Sequence, residues 1–402
     1  MHSESNKTIV TYLSDHIKTL LLIVPSTVVL LTCCVRTLRR YPNIICMENT
    51  QRNLQIIRTC PQLTEYHPTS WIINGHLMTV LGVIFRKLPS LTFKRVLLAV
   101  EEGIIAVDWH TQPLPKQPIL LLLHGLTGGS HNSYIRYMIK AASKSGLCCV
   151  VTHARGCGLS DLTSPRSFSG AWTGDVRETV KYIRKIVGPD TPVFGMGYSL
   201  GAGVLTKYIG EEGIRCELNG AIACCPSLNM ILSTNKMEKW FNSLLYNRLL
   251  TSNLINYLRR HEKHFTNSDI IDLSNVYKSR TIREFDTRVI VPMFRYRDVF
   301  HYYEDASSAK YLEHIKIPTL ILCAVDDPIC DVNGLPMETI HKNDNIIAIK
   351  TKEGGHVGWL TGWWPKTYSW ENKAIVEYIN ARLNEMNYVW ERKEDPLIVD
   401  TF

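Results

Sequence analysis

A serine set between glycines, two adjacent aspartates and a late histidine are the residues of this chain whose types and spacing suit covalent catalysis. Gly197-Tyr198-Ser199-Leu200-Gly201 follows the apolar run Val193–Gly197 and precedes the helical pattern of Ala202–Ile209. A serine hydroxyl is a weak nucleophile at neutral pH, so it needs exposure and a base. A sharp strand-to-helix turn supplies the exposure, and small residues beside the serine let the backbone make it. The helix that follows points its N-terminus at the site, which favours developing negative charge. An ordinary glycine-rich turn is the alternative, and the position between strand and helix argues against it.

A second loop has the same setting. In Leu121-Leu122-Leu123-His124-Gly125-Leu126-Thr127-Gly128-Gly129 a buried strand runs into glycine-rich sequence. Acyl transfer develops an oxyanion that needs two fixed donors. The expected pair is the amide of Leu200, just after the nucleophile, and that of Leu126. His124 reads as a residue that holds this loop rather than as a base. A phosphate-binding loop is excluded because no Gly-Lys-Ser/Thr follows.

The serine also needs a histidine, and the chain order for this kind of site is Ser, then Asp or Glu, then His. His356 in Gly354-Gly355-His356-Val357-Gly358 fits, late in the chain and soon after the last apolar strand. Asp326 and Asp327 follow the preceding strand. Successive side chains diverge, so one of the two is expected to face His356 and fix its tautomer. Asp327 is favoured because the turn Asp327-Pro328-Ile329-Cys330 resembles the usual acid turn of such sites, leaving Asp326 to bond turn amides. Asp175 reads as a charge at a helix start. His264 and Asp269 form a His-x4-Asp pattern that is read as chance.

These residues need a sheet to position them. Ile119–Leu123, Cys148–Thr152, Val193–Gly197, Ala221–Cys225, Thr319–Cys323 and Ile346–Ile349 are short continuous apolar runs, each closed by turn chemistry. Such runs indicate strands buried on both faces, hence a mostly parallel sheet under helices: an α/β fold. Arg95–Val100 and Ile104–Trp109 read as a hairpin around Glu101-Glu102-Gly103. The rhythm breaks over 227–310, where aromatics and the helically spaced Leu244, Leu245, Leu249, Leu250 and Leu254 indicate an inserted helical cap. Arg259, Arg260 and Lys263 form a basic end there, a solvated helix terminus or a headgroup patch. Residues 36–90 read as an irregular lead-in, 91–226 and 311–402 as the two parts of the core.

Thr19–Val35 carries no charge and is flanked by Lys18 and Arg36. At about 1.5 Å per residue it reaches about 25 Å, near the minimum for a spanning helix, and Pro25 is tolerated there. The expectation is a single-pass transmembrane anchor at 19–35 after a tail at 1–18. A signal peptide and a core helix are the alternatives; no small-residue cleavage site precedes Arg36, Arg39 and Arg40. Lys7 and Lys18 before the run, against Arg36, Arg39, Arg40 and Arg52 after it, lean toward a cytosolic catalytic domain. The sequon Asn6-Lys7-Thr8 lies on the other side.

The composition is that of a globular protein of 402 residues, with a net charge of +8. That permits contact with anionic membranes and gives no indication of nucleic acid. Twelve cysteines are too few for a disulfide scaffold. Several fall in apolar strands and read as buried free thiols; none has zinc spacing, so no structural metal is expected.

With Ser199, Asp327, His356 and the His124-Gly125 loop in order, the chain resembles the α/β-hydrolases. More narrowly it is similar to the membrane-anchored AB hydrolase-4 family. Asn74-Gly75-His76-Leu77-Met78-Thr79, Ala154-Arg155-Gly156-Cys157, Thr163-Ser164-Pro165-Arg166, Arg283-Glu284-Phe285-Asp286, Tyr302-Tyr303 and the His356 motif carry that likeness over roughly 66–385. The resemblance implies an α/β-hydrolase fold and a membrane-associated serine hydrolase acting on phospholipid or acylglycerol esters, medium-chain ones included, with no cofactor. It implies an endomembrane location such as the endoplasmic reticulum and an orientation often drawn opposite to the charge count. An acyltransferase using the same triad is the second reading, and a non-catalytic lipid binder the third. Trp359, Trp363, Trp364 and Trp370 near the histidine either contact lipid or pack the last helix.

Overall fold

The computed structural model describes residue 27 and residues 41–390, except 48, 49, 87, 267, 268 and 367. The anchor expected at 19–35 therefore lies outside the described residues. Among the described residues no helix is long and apolar enough to cross a membrane.

Among the described residues nine strands form one sheet in the order β1-β9-β8-β7-β6-β4-β5-β3-β2. In sequence they are β1 (Asn43–Cys46), β2 (Lys94–Val100), β3 (Gly103–Trp109), β4 (Ile119–Leu123), β5 (Cys148–Thr152), β6 (Val193–Tyr198), β7 (Gly220–Cys224), β8 (Thr319–Ala324) and β9 (Ile346–Thr351). The stretch from β5 through β4, β6, β7 and β8 to β9 is parallel. The hairpin β2–β3 joins one edge antiparallel, and β1 closes the other against β9.

Alternation along β4 shows why its apolar run is continuous. Leu120 and Leu122 pack on one side with Ile135, Met138 and Ile139 of α3 (Ser133–Lys144) and Ile375 and Ile379 of α10 (Trp370–Glu385). Ile119, Leu121 and Leu123 pack on the other with Val176 and Val180 of α4 (Gly174–Val187) and Leu205 and Ile209 of α5 (Leu200–Glu212). Both faces of the strand are dry, so both residue sets must be apolar. Truncating Leu121 to Ala would cost about 2–5 kcal/mol.

The lead-in departs from the irregular chain expected of it. It holds β1, α1 (Gln51–Thr59) and α2 (Gly75–Ile84). Strand β1 is too short to announce itself by alternation, and it exists because β9 offers it a paired edge. Helix α2 is capped by Asn74, whose Oδ1 accepts the Leu77 amide at 2.9 Å.

Between β7 and β8 the chain is built of helices. The larger ones are α6 (Met230–Met237), α7 (Arg248–Arg260), α8 (Ile282–Arg288) and α9 (Val299–Ala306). Ser243–Asn247 winds as a π-helical turn that leads into α7. These helices share an apolar core of Leu254, Leu258, Phe285, Val289 and Tyr303 with Leu162 and Phe168 of the underlying loops. Of the five leucines expected to pack there, Leu254 is buried while Leu244 and Leu249 face outward.

Candidate active site

Ser199 sits where β6 breaks into α5, with φ 53° and ψ −119°. No β-carbon-bearing residue adopts that conformation without strain, and such strain concentrates at functional turns. Two glycines make it possible. A Cβ on Gly201 would lie 2.4 Å from the His124 carbonyl oxygen, and one on Gly197 2.5 Å from that of Gly201. The elbow is tied down by the Ser199 amide donating to Cys224 O at 2.9 Å and by its own carbonyl accepting from Gly203 at 3.0 Å.

His356 lies in the loop after β9 and Asp327 in the loop after β8. Their side chains meet, His356 Nδ1 to Asp327 Oδ2, at 2.8 Å. The other carboxylate oxygen accepts the Ile329 and Cys330 amides at 2.7 and 2.9 Å, which fixes its direction. Asp326 points elsewhere and accepts the Gly355 amide at 2.8 Å. Burial opposes a charge on His356, yet the Asp327 carboxylate beside it wins and raises its pKa well above the ordinary imidazole value. Burial pushes Asp326 up to about 6, with the Gly355 hydrogen bond acting against it.

The His124-Gly125 loop reaches the same point from β4. His124 Nδ1 donates to the Gly125 carbonyl at 2.6 Å, and its Nε2 accepts the Ala154 amide at 3.1 Å. That bonding requires a neutral ring, and burial together with nearby His153 pushes His124 down to about 3. It therefore braces the loop and cannot take up a proton at neutral pH. Tyr134 adds a second brace, its hydroxyl accepting the Gly125 amide at 3.0 Å. The amides of Leu126 and Leu200 take part in no hydrogen bond among the described residues, as expected of a first-turn donor and a free loop N–H.

Ser199, His356, Leu126 and Leu200 all line one cavity of about 710 Å³ between the sheet and the cap. Its walls are mostly apolar, among them Phe168, Leu250, Leu254, Ile282 and Ile290. Cys330 lines the same cavity as Ser199 and His356, and burial raises its thiol pKa. No direct Ser199–His356 hydrogen bond forms among the described residues, a spacing common where substrate has not tightened the site.

Several residues of the site have no role assigned from the sequence. Thr79 of α2 accepts the His356 amide at 2.8 Å and donates to Gly75 O at 2.6 Å. Arg86, which is buried, donates to Gly358 O at 2.6 Å. The Asn74–Thr79 and Gly354–Gly358 motifs thus pack on one another, a fact that neither shows alone. Cys225 follows β7 and accepts the Val357 amide at 3.3 Å. Among the described residues Cys225, Asp327 and His356 form the one cluster of metal-ligand types, within 4.8 Å of one another. A proton already joins its Asp–His pair, and burial raises the thiol pKa well above normal. The set suits proton transfer better than ion binding.

Of the other sequence candidates, Arg260 alone lines the cavity. Asp175, in the first turn of α4, pairs with buried Arg155 at 2.8 Å. Neither His264 nor Asp269 lines the cavity. Arg260 does, whereas Arg259 stacks on Tyr277 at 5.0 Å. The tryptophans divide: Trp359 and Trp370 are buried 5.9 Å apart, while Trp363 and Trp364 are exposed. Cys148, Cys149, Cys224, Cys225 and Cys323 are buried free thiols, as the apolar runs around them indicate.

A family model described as the alpha/beta hydrolase fold matches residues 118–357, spanning β4 to the His356 loop. The chain belongs to the α/β-hydrolase family. By class this α/β-hydrolase is an ester hydrolase. It is 32% identical to phospholipase ABHD3 of Homo sapiens over 331 residues, which is 80% of each chain. It is 37% identical over 251 residues to a monoacylglycerol lipase of Saccharomyces cerevisiae, 61% of this chain and 55% of that one. Among solved structures, Pyrococcus furiosus esterase PF2001 superposes with a TM-score of 0.48 at 16% identity, covering 73% of this α/β-hydrolase and 95% of the esterase.

Proposed function

We propose that this α/β-hydrolase is a membrane-associated serine hydrolase that cleaves carboxylic esters of lipids through an acyl-enzyme on Ser199. The observation that carries the reading is the His356–Asp327 pair, joined at 2.8 Å and opening on the same apolar cavity as Ser199. His356 takes the Ser199 proton as the hydroxyl oxygen attacks the ester carbonyl. The amides of Leu126 and Leu200 hold the oxyanion, and the leaving alcohol receives its proton from His356. Water, deprotonated by the same ring, then releases the acid and restores the serine. Asp327 fixes the ring and stabilises its charged form. No metal is used in any step.

The apolar walls suit an acyl chain, and the phospholipase and monoacylglycerol lipase named above place lipid esters among the substrates of similar proteins. The uncharged run at 19–35 would serve as a single-pass anchor, holding the enzyme on an endomembrane such as the endoplasmic reticulum.

Labelling by a fluorophosphonate probe tests the reading, with wild type beside Ser199→Ala and lipid esters as competitors. Labelling is expected in the wild type alone. A folded wild-type protein that takes no label would overturn it and leave a lipid-binding role. Ester formation with added alcohol in preference to hydrolysis would make the enzyme an acyltransferase.

A further inference from the structure

Exposed apolar side chains collect at the cavity mouth. Helix α2 forms one side of that mouth: Val80, Val83 and Ile84 line it, and Val83 and Ile84 remain 71% and 66% exposed. At the start of α2, His76 meets Phe241 edge-on at 4.8 Å and stacks on Tyr246 at 5.7 Å. Just past its end, Phe85 stacks on Trp364 at 5.8 Å. The helix therefore joins two outward-facing patches into one band. The cap contributes Trp240, 79% exposed, with Phe241, Leu244 and Leu249; the segment after the His356 loop contributes Trp363, 68% exposed, and Trp364. Leu249 and Leu250 line the opening from the cap side, so apolar surface stands on both sides of the way in to Ser199.

A soluble surface scatters such residues singly, whereas a contiguous band marks a surface with something to bind. We propose that this band is the face that docks on a lipid bilayer, with its side chains in the outer few ångströms of the leaflet and the cavity opening directly into it. The proposal rests on the lipid-ester reading of the same cavity and adds the surface through which substrate arrives. Three observations favour a bilayer over a second protein. The band flanks an open entrance, which a docked protein would close and a fluid leaflet would feed. Its most exposed members include three tryptophans, whose rings suit the water–lipid boundary. Exposed Lys239 and Arg248 adjoin Trp240 and Leu249 in the chain, where headgroup phosphates would meet them. The chain length agrees as well. The uncharged run ends at Val35, six residues before Tyr41, where β1 is about to begin. Six residues span at most about 21 Å, so an anchor there would hold the folded body against the membrane surface.

The test uses the full-length chain reconstituted into phosphatidylcholine vesicles, wild type beside the triple variant Trp240→Ser, Leu244→Ser, Trp363→Ser. Hydrolysis of the vesicle phospholipid is expected to fall at least tenfold in the variant, while hydrolysis of a short p-nitrophenyl ester stays within twofold. In parallel, vesicles brominated at acyl carbons 6 and 7 should quench tryptophan fluorescence of the Ser199→Ala protein, and the triple substitution should remove most of that quenching. Equal vesicle hydrolysis by the two proteins, or no quenching by the bromines, overturns the docking face. Dimerisation that the triple substitution abolishes, without quenching, assigns the band to a second copy and overturns it too. Absent turnover of both esters would sink the hydrolase reading, while the quenching still decides where the band lies.

Discussion

Thr79 Oγ1 accepts the backbone N–H of His356 at 2.8 Å, across 277 residues of chain. The hydroxyl in turn donates a hydrogen bond to Gly75 O, so a helix of the lead-in segment sets the position of the proposed catalytic base. Thr79→Val keeps the shape and removes the acceptor. We expect kcat to fall about ten- to a hundredfold with little change in KM, because small misplacement of a reacting group is costly. Thr79→Ser should restore most of it, an outcome that steady-state kinetics on a soluble ester will show.

Asp327 raises the pKa of His356, and His356 must be neutral to accept the Ser199 proton. Activity of the wild type should therefore disappear as pH falls through a value above 6.5, the ordinary pKa of histidine. Asp327→Asn should move that limb to lower pH and cut kcat by about 10⁴. Asp326→Asn retains an oxygen for the Gly355 amide and should cost less than about tenfold. A pH–rate profile of the three proteins separates the two carboxylates.

Gly201 has no room for a side chain, since a Cβ would lie 2.4 Å from His124 O and 2.8 Å from Leu123 O. Both contacts are with backbone and cannot be relieved by a rotamer. Gly201→Ala should destabilise the protein by about 1–3 kcal/mol or more and abolish fluorophosphonate labelling, because the elbow and the Leu126 loop must separate. Thermal unfolding and labelling, measured together, check both parts.

Inside the cap, Asp286 of α8 accepts the Tyr303 hydroxyl of α9 at 2.9 Å. Burial pushes its carboxyl up to about 7. A folded-state pKa above the unfolded value means that this group favours folding at pH 4 and that the benefit is lost as pH rises through 7. Asp286→Asn keeps an acceptor for Tyr303 without the charge. The stability of the Asn protein relative to wild type should grow between pH 5 and pH 8, by about 2–3 kcal/mol for a shift of this size. Chemical denaturation at the two pH values reads the difference.

Much of the parallel sheet was legible in the sequence because its strands are dry on both faces, which leaves a run such as Ile119–Leu123 no polar residue. Ser199 and His356 were legible because the elbow and the histidine loop are local glycine patterns. Asp327 could be preferred to Asp326 only by its turn; the choice rests on Oδ1 accepting the Ile329 and Cys330 amides, which turns Oδ2 toward His356. What stayed hidden depends on distant partners. Strand β1 has four residues and no independent pattern. Thr79, in the Asn74–Thr79 motif, and Arg86, just past α2, show no role until the loop of His356 is laid against them. Cys330 looked like one turn residue among others, and its place in the cavity with Ser199 follows from how two strand ends converge.

The pairing of the lead-in with the far end of the chain has a consequence for synthesis. Residues of β1 and α2 leave the ribosome well before β9 and the His356 loop that complete them. At about 5–20 residues per second, the 277 residues between Thr79 and His356 take about 14 to 55 s to be made. For that interval the edge of β1 lacks β9, and Thr79 of α2 lacks the His356 amide it holds in the fold. The lead-in can dock only once β9 and the His356 loop have been made, so the front of the body is completed late in synthesis.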